Sequence, residues 1–486
     1  MLLVHPVHEL LRQLPLLIGS VVLGSATGNN VWSIAVPALL VALGIARWFT
    51  TSYRIDGEQI QRREGVLQRT VLSLPRNRIR SVSTDARLLH RLLGLTVVKV
   101  GTSQEVKGDA EFALDAVRSD EVPRLRAILL SDSLVAGREE APQDRVIARW
   151  QPSWLRYSPL SFTGLAMIVA AIGLVYQTGV VATLEDSELA REGLDAAERF
   201  GVVLTVAVAA LAVLVLSVLL SVARSLVTFG NLVLSRRDDG GAGVLHLDHG
   251  LLRKREHTFD MRRLRGGTVR EPLVVRLFGG ARLDAVMTGV DGSGEASLLL
   301  PPCPVSTAQR VLTELIGRPD VVGGALRGHG VVATRRRWSR ALAVPVLLGV
   351  AMAGAAFVVP VPRWGWAVWV VVTAAAALLA ADRSRALGHL VGDGWLVARA
   401  GSIERRRDCI ATAGIIGWTV RQSWFQRRAG VATLIAATAA GVKGYRVLDV
   451  PAEMAWSVAA TASPWVLGND WAHSRPGPSC AEDSAV

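Results

Sequence analysis

The sequence predicts membrane α-helical hairpins alternating with α+β soluble modules, and three observations carry that prediction. Apolar residues collect in charge-free runs long enough to cross a bilayer, arginine-rich stretches separate the runs, and one pattern of glycines recurs three times at the same spacing. The 486 residues are 50% hydrophobic and 20% charged, with a mean hydropathy of +0.35. Soluble chains average about 25% charged residues, so this one mixes two materials, and disorder is excluded as its main state.

The membrane elements come first. Between Arg12 and Arg47 no residue is charged, and the run breaks once, at Gly28-Asn29-Asn30. Two helices, Leu10 to Thr27 and Val31 to Phe49, are expected there as a hairpin within residues 1–50. The first is short against the roughly 20 residues a span needs. A signal peptide is the rival reading, but Met1 to Glu9 lacks the cationic start that such a peptide carries. A second hairpin is expected at 157–223, from spans at Tyr157 to Leu184 and Phe200 to Ala223. A third, at 341–381, joins Ala341 to Val359 and Trp364 to Ala381 through Pro360-Val361-Pro362-Arg363, where the prolines end one helix and permit a turn. Six transmembrane helices in three hairpins follow.

Flanking charge orients them. The loop inside the second hairpin holds Glu185, Asp186, Glu188, Glu192, Asp195 and Glu198 against Arg191 and Arg199, and is expected outside. Arginines flank the other ends, at Arg47, Arg54, Arg149, Arg156, Arg224, Arg236, Arg237, Arg335-Arg336-Arg337, Arg340, Arg383 and Arg385. Basic residues accumulate on the cytoplasmic side, so both termini and the three hydrophilic regions are expected in the cytoplasm.

Those regions repeat. Gly65-Val66-Leu67, Gly250-Leu251-Leu252 and Gly401-Ser402-Ile403 open the three copies, and an R-x-x-G follows at Arg91–Gly94, Arg276–Gly279 and Arg427–Gly430. The first and last glycines stand 29 positions apart in every copy, with no insertion. Apolar positions agree between them: Ile79, Leu264 and Ile415; Leu89, Val274 and Phe425; Val98, Leu283 and Leu434. Alternating runs at Gln68 to Leu74, Arg80 to Thr84 and Thr96 to Val100 predict strands. Ser119 to Leu130 carries Val122, Leu125, Ile128 and Leu129 at helical spacing. The modules are placed at 51–131, 224–318 and 382–456, with linkers at 132–156 and 319–340 and a disordered tail at 457–486.

The first copy resembles a known family. Its order of hairpin, Tyr53-Arg54-Ile55-Asp56-Gly57, Gln61-Arg62-Arg63-Glu64-Gly65-Val66-Leu67, Arg76-Asn77-Arg78-Ile79-Arg80-Ser81-Val82 and Leu88-Leu89-His90-Arg91-Leu92-Leu93-Gly94-Leu95 is similar to the bacterial PH-like membrane-flanked family, in its long multi-copy form. The other copies depart from the pattern, with Gly267 at the position of Val82 and Arg428-Ala429 at those of Leu92-Leu93. The resemblance implies a pleckstrin-homology-like β-sandwich or barrel with a C-terminal helix after each hairpin, held at a bacterial inner membrane. Such folds serve binding more often than catalysis, although fold alone assigns no function.

Candidate contacts are basic. Arg62, Arg63, Arg69, Arg76 and Arg78 in the first copy are candidates for lipid or partner contact, since each basic residue near an anionic leaflet contributes about 1 kcal/mol. The plainer reading is that a membrane-proximal cytoplasmic surface is basic through topogenesis alone. Arg91, Arg276 and Arg427 share one repeat position and serve either a structural role at the helix end or a common contact. The Arg335 to Arg340 run reads as a topology anchor with Trp338 at the interface.

Other classes find no support in the residues. Cys303, Cys409 and Cys480 lie far apart, without a disulfide or zinc pattern. No GxxxxGK[ST], HExxH or GxSxG motif occurs. The nine histidines, among them His246, His249, His257, His329 and His389, are read as isolated and solvated. Between Arg12 and Arg47, and throughout the other four proposed spans, no charge is present for an ion relay. Neither catalysis, cofactor, metal, nucleic acid nor small-molecule substrate is expected. The expectation is a non-enzymatic platform whose three modules bind another membrane protein of the same family, in support of envelope integrity or resistance to membrane-active agents. Anionic phospholipid sensing by the first module is the alternative.

Overall fold

The computed structural model describes residues 52–161, 166–173 and 201–468, apart from 57–58, 65–69, 76–78, 87–93, 103–111, 123, 126–143, 171–172, 238–242, 291 and 293–296. The expected first hairpin and the acidic loop lie outside these residues. The chain divides into two compact units, residues 1–152 with 222–263, and 153–221 with 264–486.

In the first unit, β1 (Ser52–Ile55), β2 (Gln59–Glu64) and β3 (Thr70–Pro75) form an antiparallel sheet. A seven-stranded sheet contains β4 (Ile79–Ala86), β5 (Leu95–Thr102), β6 (Phe112–Arg118), β7 (Asp144–Arg149), β8 (Val233–Arg237), β9 (Val244–His249) and β10 (Lys254–Asp260), in the order β6-β5-β4-β10-β9-β8-β7. The strands expected at 68–74, 80–84 and 96–100 are therefore β3, β4 and β5. Their alternation places Ile60, Ile79, Val82, Val98, Val100 and Leu114 in one core, with Leu72 and Leu74 packed against it. Val122, at the expected closing helix, joins that core. The 132–156 linker needs correction, because β7 is an edge strand paired with β8. Ile147 and Ala148 are buried there, which a solvated linker does not allow.

The second unit holds β11 (Leu264–Pro272), α2 (Leu273–Leu277), β12 (Gly280–Met287), β13 (Leu298–Pro304), α3 (Val305–Ile316) and α4 (Pro319–Gly323). β14 (Gly388–Gly392), β15 (Trp395–Ala400) and β16 (Glu404–Ala411) complete a six-stranded sheet ordered β13-β12-β11-β16-β15-β14. Then β17 (Ile415–Arg421), α7 (Trp424–Arg428), β18 (Val431–Thr438), β19 (Gly444–Pro451) and α8 (Ala452–Ala462) follow, β17-β18-β19 forming a separate sheet. Leu396, Ile415, Leu434, Val447, Val458 and Val466 share its core. α3 buries Ala308, Val311, Leu312 and Leu315. It lies close because Gly267 has no Cβ, whose place would be 2.5 Å from Leu312 Cδ1.

Two further boundaries change. The tail is not disordered from 457, since α8 runs to Ala462, a 3-10 turn follows to Gly468, and Val466 is buried. The 319–340 linker is structured too: α4 buries Val321 and Val322, and Arg407 donates to the carbonyls of Val321 (3.0 Å) and Gly324 (2.9 Å). A guanidinium thus satisfies a helix end that would otherwise leave carbonyls open.

Among the described residues three helices are long and apolar enough to cross a membrane: α1 (Val202–Phe229), α5 (Gly330–Ala355) and α6 (Arg363–Ala386). They include three of the six expected spans. α1, at about 42 Å, exposes Leu204, Leu211, Leu214 and Leu219, as a lipid-facing helix must. α5 and α6 form the expected hairpin, and Trp369 Nε1 donates to the carbonyl of Pro345 at 2.8 Å. Gly349 lets the indole approach, because a Cβ there would stand 2.7 Å from its ring. The expected span from Tyr157 does not begin there. Residues 152–157 and 159–161 form 3-10 turns, with Trp154 and Tyr157 buried. Tyr157 seats its ring against Gly280, where a Cβ would collide at 2.6 Å.

Candidate interaction surface

Among the described residues the recurring glycines keep one backbone conformation at each landmark, Gly65 lying outside those residues. Gly94, Gly279 and Gly430 have φ of +64°, +73° and +64°, and Gly250 and Gly401 have +106° and +103°. A Cβ at Gly250 or Gly401 would meet a carbonyl oxygen 2.1 Å away, that of Arg253 or Glu404 respectively. Spacing and geometry agree, and the turns are therefore equivalent.

Equivalent turns position equivalent strands. β4 pairs antiparallel with β10 and β11 with β16, so strands from different expected modules share a sheet in each unit. Arg253 forms an ion pair with Asp85 across the first junction. At the second, Thr268 Oγ1 donates to Asp408 at 2.8 Å, and Arg270 meets Asp284 at 2.5 Å and Glu404 at 3.4 Å. Burial pushes the Asp408 and Asp284 carboxyls above their ordinary range, opposed by the nearby arginines. Ile410 of β16 packs with Val286 of β12, Ala440 and Tyr445.

The basic candidates separate. Arg62 and Arg63 lie on β2, with Arg63 exposed. Arg69, Arg76, Arg78 and Arg91 fall outside the described residues. Arg276 forms an ion pair with Asp382 at 2.7 Å, whereas Arg427 is exposed on α7. One repeat position thus holds two different environments rather than one shared contact.

Sequence reasoning missed the acids. Asp382, at the end of α6, takes Arg276 on one oxygen and Arg405 on the other (2.6 Å), tying a spanning helix to α2 and β16. Asp449, 2% exposed, receives Arg336 (3.2 Å), Arg337 (2.7 Å) and the Gln426 amide (2.8 Å). The expected topology anchor is therefore corrected in part: Arg336 and Arg337 turn from the interface to a buried carboxylate. Asp382 had a sequence signal, a lone acid closing an apolar run; Asp449 had none.

The histidines also need correction. His329 and His389 are buried, with Nε2 of the first 2.8 Å from Nδ1 of the second, and His329 Nδ1 2.7 Å from the Leu448 carbonyl. A carbonyl only accepts, so His329 carries its proton on Nδ1, and His389 donates from Nδ1 to the free His329 nitrogen. Burial lowers both pKa values, that of His389 to about 4. His249 is buried as well, with Nδ1 2.7 Å from the Thr228 carbonyl. Among the described residues no group of three His, Cys, Asp or Glu could hold a metal. Burial also pushes the Cys303 and Cys409 thiols up to about 12, far from a reactive thiolate.

Two surface features remain. Leu277 and Phe278 stand exposed beside the Arg276–Asp382 pair, and Trp424 and Phe425 stand exposed on α7, where Arg428 covers the Trp424 ring at 4.9 Å. β17 has β18 as its only strand neighbour among the described residues.

Comparison with known proteins agrees with the resemblance. Residues 10–133 and 341–462 match the bacterial PH domain family, and the expected second module at 224–318 lies outside both matches. Over 270 residues the chain is 20% identical to the UPF0699 transmembrane protein YdbT of Bacillus subtilis (strain 168), covering 51% of this chain and 52% of that protein. The chain thus spans about half the length of that curated relative. No solved structure matches. With two matched stretches covering half its length and helices able to span a bilayer, the chain is a membrane protein of the bacterial PH domain family.

Proposed function

We propose that the chain is a non-enzymatic interaction platform at the inner leaflet, built of three PH-like modules on six spans, with the middle module a divergent third copy. The single observation that carries this reading is the pair of strand junctions, β4 with β10 and β11 with β16. Module surfaces that associate twice through strand edges are suited to binding another module of the same kind. In this reading both termini face the cytoplasm, and the partner is another membrane protein of the family, in an assembly that supports envelope integrity. Affinity purification of the intact chain from its native membrane, with mass spectrometry of all that co-elutes, tests it. A stoichiometric protein partner is expected; recovery of the chain alone would refute it.

Leu277 and Phe278, exposed beside the end of a spanning helix, favour a second reading, lipid contact. Separately, anionic phospholipid sensing by the first module would use Arg62 and Arg63 of β2. Enrichment of an anionic lipid without protein in the same purification would support it.

A further inference from the structure

We propose that β17 is a docking edge for β3 of a second copy of this chain, so that copies associate head to tail. The inference rests on the platform reading and names the occupant of one edge.

The two junctions are the same interaction made twice. At the first, Lys254 to Phe259 lie opposite Ala86 to Ser81, and at the second Glu404 to Ile410 lie opposite Pro272 to Gly266. Moving each strand by its repeat spacing turns Arg255 opposite Asp85 into Arg406 opposite Arg270, and Phe259 opposite Ser81 into Ile410 opposite Gly266. The register is identical, and a one-residue slip would have turned every side chain to the other face. The irregularity recurs as well, between Ile79 and Ser81, Leu264 and Gly266, and Ile415 and Gly417.

One strand of each kind is left over. β17 is the equivalent of β4 and β11, yet its neighbour on the junction side is missing among the described residues. Gly266 to Arg270 in β11 are buried, whereas Ile416, Thr419 and Arg421 in β17 are exposed. β3 is the equivalent of β10 and β16, and β2 is its only strand neighbour among the described residues. Val71 and Ser73 on it are exposed.

The sequences of the two edges fit. Continuing the register sets Gly417 opposite Leu74, Trp418 opposite Ser73, Thr419 opposite Leu72 and Arg421 opposite Thr70. Ser81 faces Phe259 and Gly266 faces Ile410, small against large, and Gly417 against Leu74 keeps that rule. Pro75 falls one place beyond the last pair, where Asp260 lies beyond the pairing with β4, so its missing N–H is not called on. Because donor and acceptor edges differ, the contact is heterologous and joins copies into a ring or a row.

The test uses full-length chains in native membranes, each with Cys480→Ser and its buried Cys303 and Cys409 retained. One tagged chain carries Arg421→Cys and a second, differently tagged and co-expressed, carries Thr70→Cys; mild oxidation follows. A mixed disulfide dimer is expected, formed several-fold more than with Val71→Cys as the second chain, even though Val71 is 53% exposed. No mixed dimer, or equal yield with Val71→Cys, overturns the proposal. If the dimer fails while the wild-type chain co-purifies with another protein bearing its own PH-like module, head-to-tail pairing falls and the platform stands. If nothing co-purifies either, both fall.

Discussion

Asp449→Asn tests how the juxtamembrane arginines are held. Asp449 sits on β19 with φ +53°, a conformation Asn tolerates, so the substitution removes charge without adding backbone strain. It leaves Arg336 and Arg337, which flank the carboxylate at 3.2 and 2.7 Å, without their common counter-charge. Their side chains are each 10% exposed, so water compensates little. Breaking one buried pair costs about 3–5 kcal/mol. The chain has more than one folding unit, and a single unfolding midpoint would blur the effect. Local hydrogen exchange of the Gly444–Pro451 amides is therefore the assay. At about 1.4 kcal/mol per tenfold, the expected acceleration is roughly two to three and a half orders of magnitude, confined to the part of the second unit around β19 and α8. Adding Arg337→Met, which removes one stranded charge, should recover part of it. Exchange in D449N within about tenfold of wild type would refute the clamp as a net source of stability.

Protonation gives a second outcome. Both histidines of the buried pair are neutral in the fold, so between pH 6.5, near the unfolded value, and about 4 the unfolded chain binds protons that folded His389 refuses. Stability of the second unit should fall as pH drops through that window, His389 alone contributing about 3 kcal/mol, and His389→Asn should flatten the slope measured by local hydrogen exchange of the Gly388–Gly392 amides. Gly349→Leu should push α6 from α5 by displacing the Trp369 ring, costing about 1–3 kcal/mol and weakening cross-linking between the two helices. Alanine at Gly94, Gly279 or Gly430 meets no atom within 4 Å, so each should cost only the left-handed backbone penalty of about 1–2 kcal/mol, alike in all three when measured by local hydrogen exchange of the strand that follows each glycine. A cost present at Gly94 and Gly430 but absent at Gly279 would set the middle copy apart.

Much of this architecture is legible in the chain because its signals are local. Charge-free runs mark α1, α5 and α6, since a lipid-facing helix tolerates apolar residues on every side. Glycine spacing marks the turns, because a positive φ excludes most side chains wherever the turn recurs. The strands β3, β4 and β5 follow from alternation, which reports one buried face. What failed depended on distance. Residues 144–149 and 464–468 carry little periodicity of their own, and become ordered only by pairing with β8 or packing near Val458. His329 and His389 are 60 positions apart, so nothing local brings them together.

The sequence alone determined the materials: which stretches are apolar enough for a bilayer, which glycines repeat, and which basic residues surround them. Only the tertiary structure decided the partners. A strand's alternation says that one face is buried but leaves both hydrogen-bonding edges unassigned, and the choice of β10 for β4, and of β16 for β11, is made by backbone groups that every residue shares. The same holds for charge. Arg337 and Arg427 are one residue type in one chain, and what makes the first a buried clamp and the second a surface cation is the carboxylate that the fold brings, or among the described residues does not bring, within reach.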